Sequence, residues 1–226
     1  MKLSTLVAQP TFQTYSLTAT IDSALCIGAG GSAGSLADKP IVRNAAGWMI
    51  IPGSHLKGRL RHECEKIARG LGWEVSRSPS PRNMVGNYPI PPILDRSPHC
   101  IISSIFGDPS LPSRLLIDDL ICTTSPEDLP NEVIRPGVTI NRRRRTAEDR
   151  KLYYLETSPP NLQLKFTGEI HTIDPPHYAT ALICAGLRHI NALGGSKSAG
   201  LGWLTWEWGE IPIDDRAWID LGGAKG

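Results

Sequence analysis

The chain has 226 residues and a formal net charge of +2 at neutral pH. This length suffices for one well-buried domain with large insertions, and the small charge excludes a polycation that binds nucleic acid over its whole surface. Its 22 glycines and 19 prolines indicate long structured loops, and five cysteines without a CxxC pair argue against a disulfide framework. Because no secretory signal and no apolar run of the ~18 residues needed to span a membrane is found, we expect a cytoplasmic protein without membrane partners.

The first predicted element is a β-strand over residues 12–25, where apolar and polar side chains alternate. Tyr15, Leu17, Ala19 and Ile21 fall on one face, and threonines and a serine occupy the other. This pattern predicts a strand with one buried face. A glycine-rich connection, residues 27–38, leads from it to a short apolar run that ends at Ile51.

A helix is predicted to begin at Ser54, directly after a tight Pro52-Gly53 turn, and to end at Gly70 and Gly72. Ser54 is the expected N-cap. This entry leaves backbone N–H groups at the helix start available to an anion such as a phosphate.

Three cations, Lys57, Arg59 and Arg61, lie in the first two turns of this helix. Because consecutive helical residues diverge by about 100°, Lys57 and Arg61 share a face while Arg59 points elsewhere. We expect Lys57 and Arg61 to bind the phosphates of a nucleic acid and Arg59 to reach a neighbouring subunit. A solvated helix face is the alternative interpretation.

The rest of the chain completes an α+β pattern. Residues 74–104 carry six prolines and little periodicity, which is typical of an insertion loop. The predicted elements that follow are a strand over 115–123, a basic arm over 135–151, a strand over 162–170, a helix over 176–193 and a strand over 200–208. The order strand, helix, strand, strand, helix, strand predicts a ferredoxin-like (RRM-like) βαββαβ core with large insertions.

A second element suited to phosphate is the loop at residues 194–202, GGSKSAGLG. A helix stop and a tight turn account for its first two glycines, but not for Ser196 and Lys197 followed by two further glycines. We therefore predict that Ser196 and Lys197 contact a phosphate, as does the helix start at Ser54. Two such elements on one chain indicate a nucleic-acid backbone as the ligand.

Five segments, taken in chain order, carry a family resemblance: residues 27–30, 38–44, 51–61, 105–107 and 193–203. Over about residues 13–208 the chain resembles the RAMP superfamily, and more narrowly the repeated RNA-cleaving backbone subunit of type III CRISPR effector complexes. Two positions differ from the family pattern. Cys26 stands where a histidine is frequent, and Ala199 stands where a basic residue is frequent.

The resemblance implies a single RAMP domain over residues 1–226, with a protruding β-hairpin thumb at about 135–162. Copies of such a subunit stack along a guide RNA, and each thumb interrupts the guide–target duplex and flips out a nucleotide. An aspartate before the Ile-Pro-Gly-Ser helix supports cleavage of the target RNA, and the matching residue here is Asp38. The implied products are a 2′,3′-cyclic phosphate and a 5′-hydroxyl. The implied partners are guide RNA, single-stranded target RNA and other effector subunits, including further copies.

The implied thumb carries four consecutive cations: Arg142, Arg143, Arg144 and Arg145. If they lie in a strand, alternation sends two to each face, so that one pair binds the guide and the other the target. A solvated tip is the alternative. The Tyr-Tyr-Leu segment at 153–155 either supplies a wedge that separates bases or is buried in the strand.

Cleavage by a ribose 2′-hydroxyl needs the attacking oxygen, the phosphorus and the leaving oxygen in line, which an unstacked nucleotide permits. The carboxylate of Asp38 would hold a divalent cation, expected to be Mg²⁺, or orient the hydroxyl. Without the resemblance, Asp38 is an aspartate that caps a turn. Zinc is not expected, because His62, Cys64, His99 and Cys100 lack the CxxC spacing of closed zinc sites.

Three functions fit the sequence. The leading hypothesis is a guide-RNA-binding backbone subunit that cleaves target RNA, a metal-dependent endoribonuclease within a multi-subunit complex. The second is a non-cleaving structural subunit of the same kind. The third is a RAMP endonuclease that processes precursor guide RNA. Such enzymes usually use a histidine, and none of the six histidines has an obvious catalytic setting in the sequence.

Overall fold

The computed structural model describes residues 10–28, 37–78, 80, 84, 99–209 and 215–222. Most of the predicted glycine-rich connection and much of the proline-rich insertion lie outside these ranges. The strands are β1 (Phe12–Ile21), β2 (Ile50–Ile51), β3 (Leu115–Ile117), β4 (Leu120–Cys122), β5 (Val133–Asn141), β6 (Thr146–Thr157), β7 (Leu164–Ile173) and β8 (Leu204–Trp208). The helices are α1 (Gly53–Gly70), α2 (Ser103–Phe106), α3 (Ala179–His189) and α4 (Asp215–Gly222), with a 3₁₀ turn at Lys197–Ala199.

Strands β1 and β7 form the centre of the main sheet. They pair antiparallel along their whole length, from Phe12 opposite Ile173 to Ile21 opposite Leu164. β8 pairs with the other edge of β1, while β3 and β4 pair with the other edge of β7 and β2 adds to β4. The unit β1-α1-β3/β4 therefore interleaves with the unit β7-α3-β8. This is the ferredoxin-like arrangement, and it confirms the predicted α+β fold.

The alternation in β1 correctly identifies the buried face of the sheet. Its inward residues, such as Leu17 and Ile21, are buried together with apolar residues of α1 and α3 in one core cluster. The two helices approach closely at Gly186 of α3, where a Cβ atom would lie 2.6 Å from the sulfur of Cys64 in α1. A glycine at this position therefore allows the helices to pack at their observed separation.

The start of α1 differs from the prediction that Ser54 is its N-cap. The helix begins at Gly53, and Pro52 occupies the N-cap position without any side-chain hydrogen bond. The reason is a close approach, because a Cβ atom at Gly53 would lie 2.1 Å from the carbonyl oxygen of Ile117. The N–H of Gly53 donates to Oδ1 of Asp119 at 2.8 Å, so the sheet itself caps the helix.

Four other elements are shorter than predicted, the first of them β1, which was expected over residues 12–25 and ends at Ile21. The strand expected over 115–123 is divided into β3 and β4 by Asp118 and Asp119, the second of which caps α1. The helix expected over 176–193 covers only Ala179–His189. The last strand begins at Leu204 instead of residue 200, because Gly200 and Gly202 have positive φ angles and form a turn.

The predicted hairpin is present as a separate two-stranded sheet of β5 and β6, which we call the thumb. Most of its residues are exposed. Its base is tied to the segment after β1, because the Ser158 hydroxyl accepts the Leu25 N–H at 2.8 Å and the Ser158 N–H donates to the Leu25 carbonyl at 2.9 Å. The thumb is thus anchored where it leaves the core.

The long helix α1 is amphipathic, with buried Leu56, Leu60 and Ala68 on one side and exposed residues such as Lys66 on the other. Among the described residues, no helix combines the length and apolar character needed to cross a membrane.

Two helical glycines should respond in opposite directions to the same substitution. Gly186→Ala should destabilise the fold by about 1–3 kcal/mol, because the added methyl group overlaps Cys64 and Leu60. Gly58→Ala should stabilise it by about 0.5–1 kcal/mol, because nothing lies within 4 Å of its Cβ position and alanine favours a helix. Urea unfolding of the purified chain measures the free energy of unfolding of both variants. If the two substitutions change it equally, the close contact between α1 and α3 at Gly186 is contradicted.

Candidate functional site

An open cavity of about 600 Å³ lies where the thumb, the start of α1 and the loop at 194–202 meet. It brings together two residues that the sequence assigns to different parts of the site, Asp38 and Ser196. The described residues that line it are Cys26, Ile27, Gly28, Asp38, Lys39, His55, Tyr153, Leu155, Gly194, Gly195 and Ser196.

The thumb fixes the position of Asp38. The Asp38 N–H donates to the Tyr154 carbonyl at 3.0 Å, and Oδ2 of Asp38 accepts the Tyr154 N–H at 2.8 Å. The next residues continue this pairing, because the Glu156 N–H donates to the Lys39 carbonyl at 3.2 Å and the Ile41 N–H donates to Oε2 of Glu156 at 2.8 Å. Residues 38–41 therefore run beside β6 and hold an exposed carboxylate at the cavity.

The loop at 194–202 packs by its backbone against the segment after β1. The Gly195 N–H donates to the Cys26 carbonyl at 2.7 Å, and the Gly202 N–H donates to the Ala24 carbonyl at 2.9 Å. Gly194 has a φ of +87°, and a Cβ atom there would lie 2.4 Å from the Cys26 carbonyl oxygen. Gly194 is therefore needed to seat the loop, which the sequence did not reveal.

Ser196 and Lys197 occupy different positions within this loop. Ser196 is exposed at the cavity wall, in a left-handed conformation with a φ of 52°. Lys197 turns back on the loop, and its Nζ donates to the Gly194 carbonyl at 2.9 Å. Ser196 therefore supplies a hydroxyl to the cavity. Lys197 does not line the cavity, but its ammonium contacts Gly194, which does.

His55 is a site residue that the sequence analysis missed. It lies in the first turn of α1 and lines the cavity together with Asp38 and Ser196. Loss of hydration lowers the pKa of His55 below its ordinary value, and the positive charges of Lys197 and Arg59 lower it further. Both effects favour the neutral form of the imidazole. The sequence did contain a signal for this residue, because His55 is titratable and lies in the first turn of a helix whose start suits anions.

Lys57 and Arg61, which the sequence predicts to bind RNA phosphates, are not among the described residues that line this cavity. The Lys57 ammonium donates to the Ser113 hydroxyl and the Leu115 carbonyl, both at 2.8 Å. Nη1 of Arg61 donates to the Gly107 carbonyl at 2.8 Å. The two residues do share a helix face, but that face covers residues 107–115. Their cations hold the backbone of the protein itself, and desolvation lowers the pKa of Lys57.

Arg59 points to another side of α1, where it is paired within the helix. Its Nη2 lies 2.8 Å from Oε1 of the buried Glu63, and Lys66 lies 2.5 Å from the other carboxylate oxygen. The charge of Arg59 still reaches His55, as the lowered pKa of that histidine indicates. Arg59 is thus close to the cavity without being among its lining residues.

The four arginines of the thumb form a turn and not a strand, so the predicted alternation between two faces is wrong. Asn141 causes this, because its Oδ1 accepts the N–H groups of the second and third arginine at 3.1 Å each. The N–H of the fourth donates to the Asn141 carbonyl at 2.7 Å. The exposed side chains at this tip are Arg142, Arg143, Arg144 and Arg145.

Tyr153 and Tyr154 of β6 are not buried in the thumb, with exposed fractions of 41% and 38%. The ring of Tyr153 lies over Gly137 of the paired strand, and Tyr153 also lines the cavity. Leu155 is half-buried and packs against a small cluster that includes Cys26. Aromatic surface is therefore available next to Asp38.

The described wall of the cavity contains a single carboxylate, that of Asp38, and one of its oxygens already accepts the Tyr154 N–H. Lys39 adds a positive charge beside it. Within the described ranges, one group of three potential metal ligands lies within 4.8 Å, and it consists of Asp118, Glu169 and His171 instead. These donors do not form a dedicated Mg²⁺ site at Asp38.

The four residues considered for zinc do not converge. Sγ of Cys64 contacts the Leu182 carbonyl at 3.5 Å, deep between α1 and α3. Cys100 is buried against the hydroxyls of Ser76 and Ser103, while Nδ1 of His99 lies 2.6 Å from Asp108. Burial against its own protein neighbours accounts for each cysteine. His62 lies exposed on α1.

Lys57→Met should lower the free energy of unfolding by about 1–3 kcal/mol, because the Ser113 hydroxyl and the Leu115 carbonyl lose a charged donor. Urea unfolding of the full chain measures the change. His62→Ala, an exposed change on the same helix, serves as the control and should alter stability by less than about 0.5 kcal/mol. If Lys57→Met leaves the free energy of unfolding unchanged, the Lys57 ammonium does not stabilise the fold and would be free to bind RNA.

Comparison with known proteins agrees with this architecture. The family model described as RAMPs, the RAMP superfamily, matches residues 18–205, which extend from β1 into β8. No individual curated protein gives a significant match to the chain. Proteins of this superfamily are associated with CRISPR, bind CRISPR RNA alongside other subunits, and include some ribonucleases. The chain therefore belongs to the RAMP superfamily and is a CRISPR-associated RNA-binding protein.

Proposed function

We propose that this protein is a guide-RNA-binding backbone subunit of a type III CRISPR ribonucleoprotein that cleaves complementary target RNA beside its thumb. The observation that carries the proposal is the cavity at the base of the thumb. There a carboxylate (Asp38), an ammonium group (Lys39) and a hydroxyl (Ser196) surround a space of about 600 Å³. This combination suits a ribose-phosphate, with positive charge for the phosphate and a carboxylate for the hydroxyl.

The thumb supplies the geometry that the reaction needs. A nucleotide inside an A-form duplex cannot bring its 2′-oxygen in line with the leaving 5′-oxygen, whereas an unstacked nucleotide can. Tyr153 and Tyr154 offer exposed aromatic surface on which a base can stack, directly next to Asp38. The products would be a 2′,3′-cyclic phosphate and a 5′-hydroxyl. The four exposed arginines of the tip would contact phosphates on either side of the interruption.

A divalent cation enters this proposal only in a limited form. Mg²⁺ is often bound by one or two carboxylates together with substrate phosphates and water, so RNA would have to supply most of its ligands here. The cation would then neutralise phosphate charge. Asp38 itself orients the ribose hydroxyl, since the reciprocal hydrogen bonds with Tyr154 fix the direction of its carboxylate.

Asp38→Asn and Asp38→Ala separate the charge of Asp38 from its structural role. In the assembled complex with guide RNA, both should lower the rate of target cleavage by at least about 10²-fold, because both remove the carboxylate. Only the alanine variant should also destabilise the chain, by about 1 kcal/mol, because an asparagine oxygen still accepts the Tyr154 N–H.

The measurements are single-turnover cleavage of a labelled complementary RNA, identification of the cyclic phosphate end, and urea unfolding. If guide and target binding persist and cleavage is unchanged in both variants, the subunit is a structural backbone component and another subunit cuts. Loss of RNA binding by Asp38→Asn would contradict the assigned role of the carboxylate.

Substitution by methionine should affect RNA affinity and its salt dependence at Lys39, but not its salt dependence at Lys57. Lys39→Met should weaken binding of a labelled single-stranded RNA and make the slope of log affinity against log salt shallower by about 0.7, the expected value for one lost phosphate contact. Lys57→Met should leave the slope unchanged, because Lys57 is bound to Ser113 and Leu115. If the wild type, Lys39→Met and Lys57→Met all have the same salt slope, Lys39 does not contact an RNA phosphate.

The position of His55 supports a second candidate function, endonucleolytic processing of precursor guide RNA. The sequence offered no histidine in a catalytic setting, whereas the structure places His55 on the wall of the cavity that contains Asp38. The isolated chain, incubated with precursor repeat RNA, distinguishes the two functions. Specific cutting without partner subunits would favour processing, and cutting only in the assembled complex would favour target cleavage.

A further inference from the structure

We propose that His55 is the general base that accepts the proton of the attacking 2′-hydroxyl in this cavity. The inference rests on the proposed function, because it assigns the proton transfer to a residue of the same site. It goes beyond the resemblance, which pointed to Asp38 alone. It also follows from the poor fit of a dedicated metal site, since the described wall of the cavity carries one carboxylate and Tyr154 already binds one of its oxygens.

The geometry of the cavity gives each lining residue a separate task. His55 approaches from the first turn of α1, while Asp38 approaches from the segment paired with β6. Backbone and hydroxyl groups of Gly195 and Ser196 form a third wall, and Lys39 adds a cation. A ribose-phosphate in this space therefore has an imidazole, a carboxylate and an ammonium group around it on rigid elements of the fold.

Loss of hydration is the largest cause of the lowered pKa of His55, and nearby positive charges add to it. From its own helix the guanidinium of Arg59 acts on it, and from the loop at 194–202 the ammonium of Lys197 does. The other titratable residues on the described wall of the cavity are Asp38 and Lys39 beside β6, Cys26 after β1 and Tyr153 of the thumb. The lowered pKa favours the unprotonated imidazole, which is the form that can accept a proton.

Neither Cys26 nor Lys39 suits the role of base as well. Burial raises the pKa of the Cys26 thiol, so it stays protonated at neutral pH and does not accept a proton. Lys39 is an exposed ammonium group and has no free electron pair in that form. Asp38 is the remaining acceptor, but a carboxylate is the weaker base and Tyr154 already binds one of its oxygens.

The proposed step balances without a co-reactant. A ring nitrogen of His55 takes the proton of the 2′-hydroxyl while the 2′-oxygen forms a bond to phosphorus. The bond between phosphorus and the 5′-oxygen breaks, and the leaving oxygen takes a proton from solvent water. The imidazolium then returns its proton to solvent. Lys39 opposes the negative charge that grows on the non-bridging phosphate oxygens.

The test uses the assembled complex with guide RNA and a labelled complementary target, in single-turnover reactions from about pH 5 to about pH 8. The wild-type rate should rise with pH and level off once His55 is neutral, because a protonated imidazole cannot act as a base. His55→Ala should lower the plateau rate by about 10²-fold or more, abolish this rise and leave target affinity unchanged. Added imidazole should restore part of the rate, since the cavity is open.

His62→Ala is the matched control, because His62 is exposed on the same helix and does not line the cavity. It should keep the wild-type rate and pH profile. If His55→Ala cleaves like wild type while Asp38→Asn does not cleave, this inference fails and the proposed function stands. If His55→Ala loses target binding, His55 is a binding residue and the inference fails. If the wild-type complex does not cut, both fail.

Discussion

The pairing of residues 38–41 with β6 is the interaction on which the rest of the site depends. It joins a residue from the loop after β1 to a strand of the thumb more than one hundred positions later in the chain, through reciprocal hydrogen bonds between Asp38 and Tyr154. Glu156 extends the pairing by accepting the Ile41 N–H with its carboxylate. Because the base of the thumb is also bound to Leu25 through Ser158, the hairpin cannot move without moving the Asp38 carboxylate. The element that would unstack a nucleotide and the group that would act on it are therefore joined by direct hydrogen bonds.

Close backbone contacts impose a second constraint, and they explain why glycines surround the site. Gly194 must approach the Cys26 carbonyl, and Gly53 must approach the Ile117 carbonyl, at distances that no side chain permits. The first contact seats the loop that presents Ser196, and the second sets where α1 begins and hence where His55 lies. Both glycines are distant in sequence from the residues that they contact. Tertiary contacts between backbone segments therefore shape the cavity and determine which side chains line it.

The fold was largely predictable because its information is local. The alternation in β1 and the start and stop signals of α1 gave the element types, and the order of the elements gave the ferredoxin-like topology. The element ends were not predictable in the same way. Ser54 resembles an N-cap in sequence, but Asp119 from the sheet caps the helix instead. The arginines of the thumb looked like strand residues, but the side chain of Asn141 closes a turn around them. In both cases a polar side chain, Asp119 or Asn141, determines where the element begins or ends, and the periodicity of the sequence does not show this.

The cations of α1 show why the site was harder to predict than the fold. Lys57 and Arg61 have the spacing of a phosphate-binding face, and spacing alone cannot tell whether such a face meets a ligand or the protein. Here it meets the carbonyls of Leu115 and Gly107, and buried Glu65 accepts a further bond from Arg61. These internal cations leave fewer positive charges for RNA than the sequence suggests. Lys39 and the arginines of the tip are exposed, and both belong to or pair with the thumb. A modest net charge is compatible with RNA binding, because a local run of cations at the tip and Lys39 beside the base of the hairpin lie where a duplex would be interrupted.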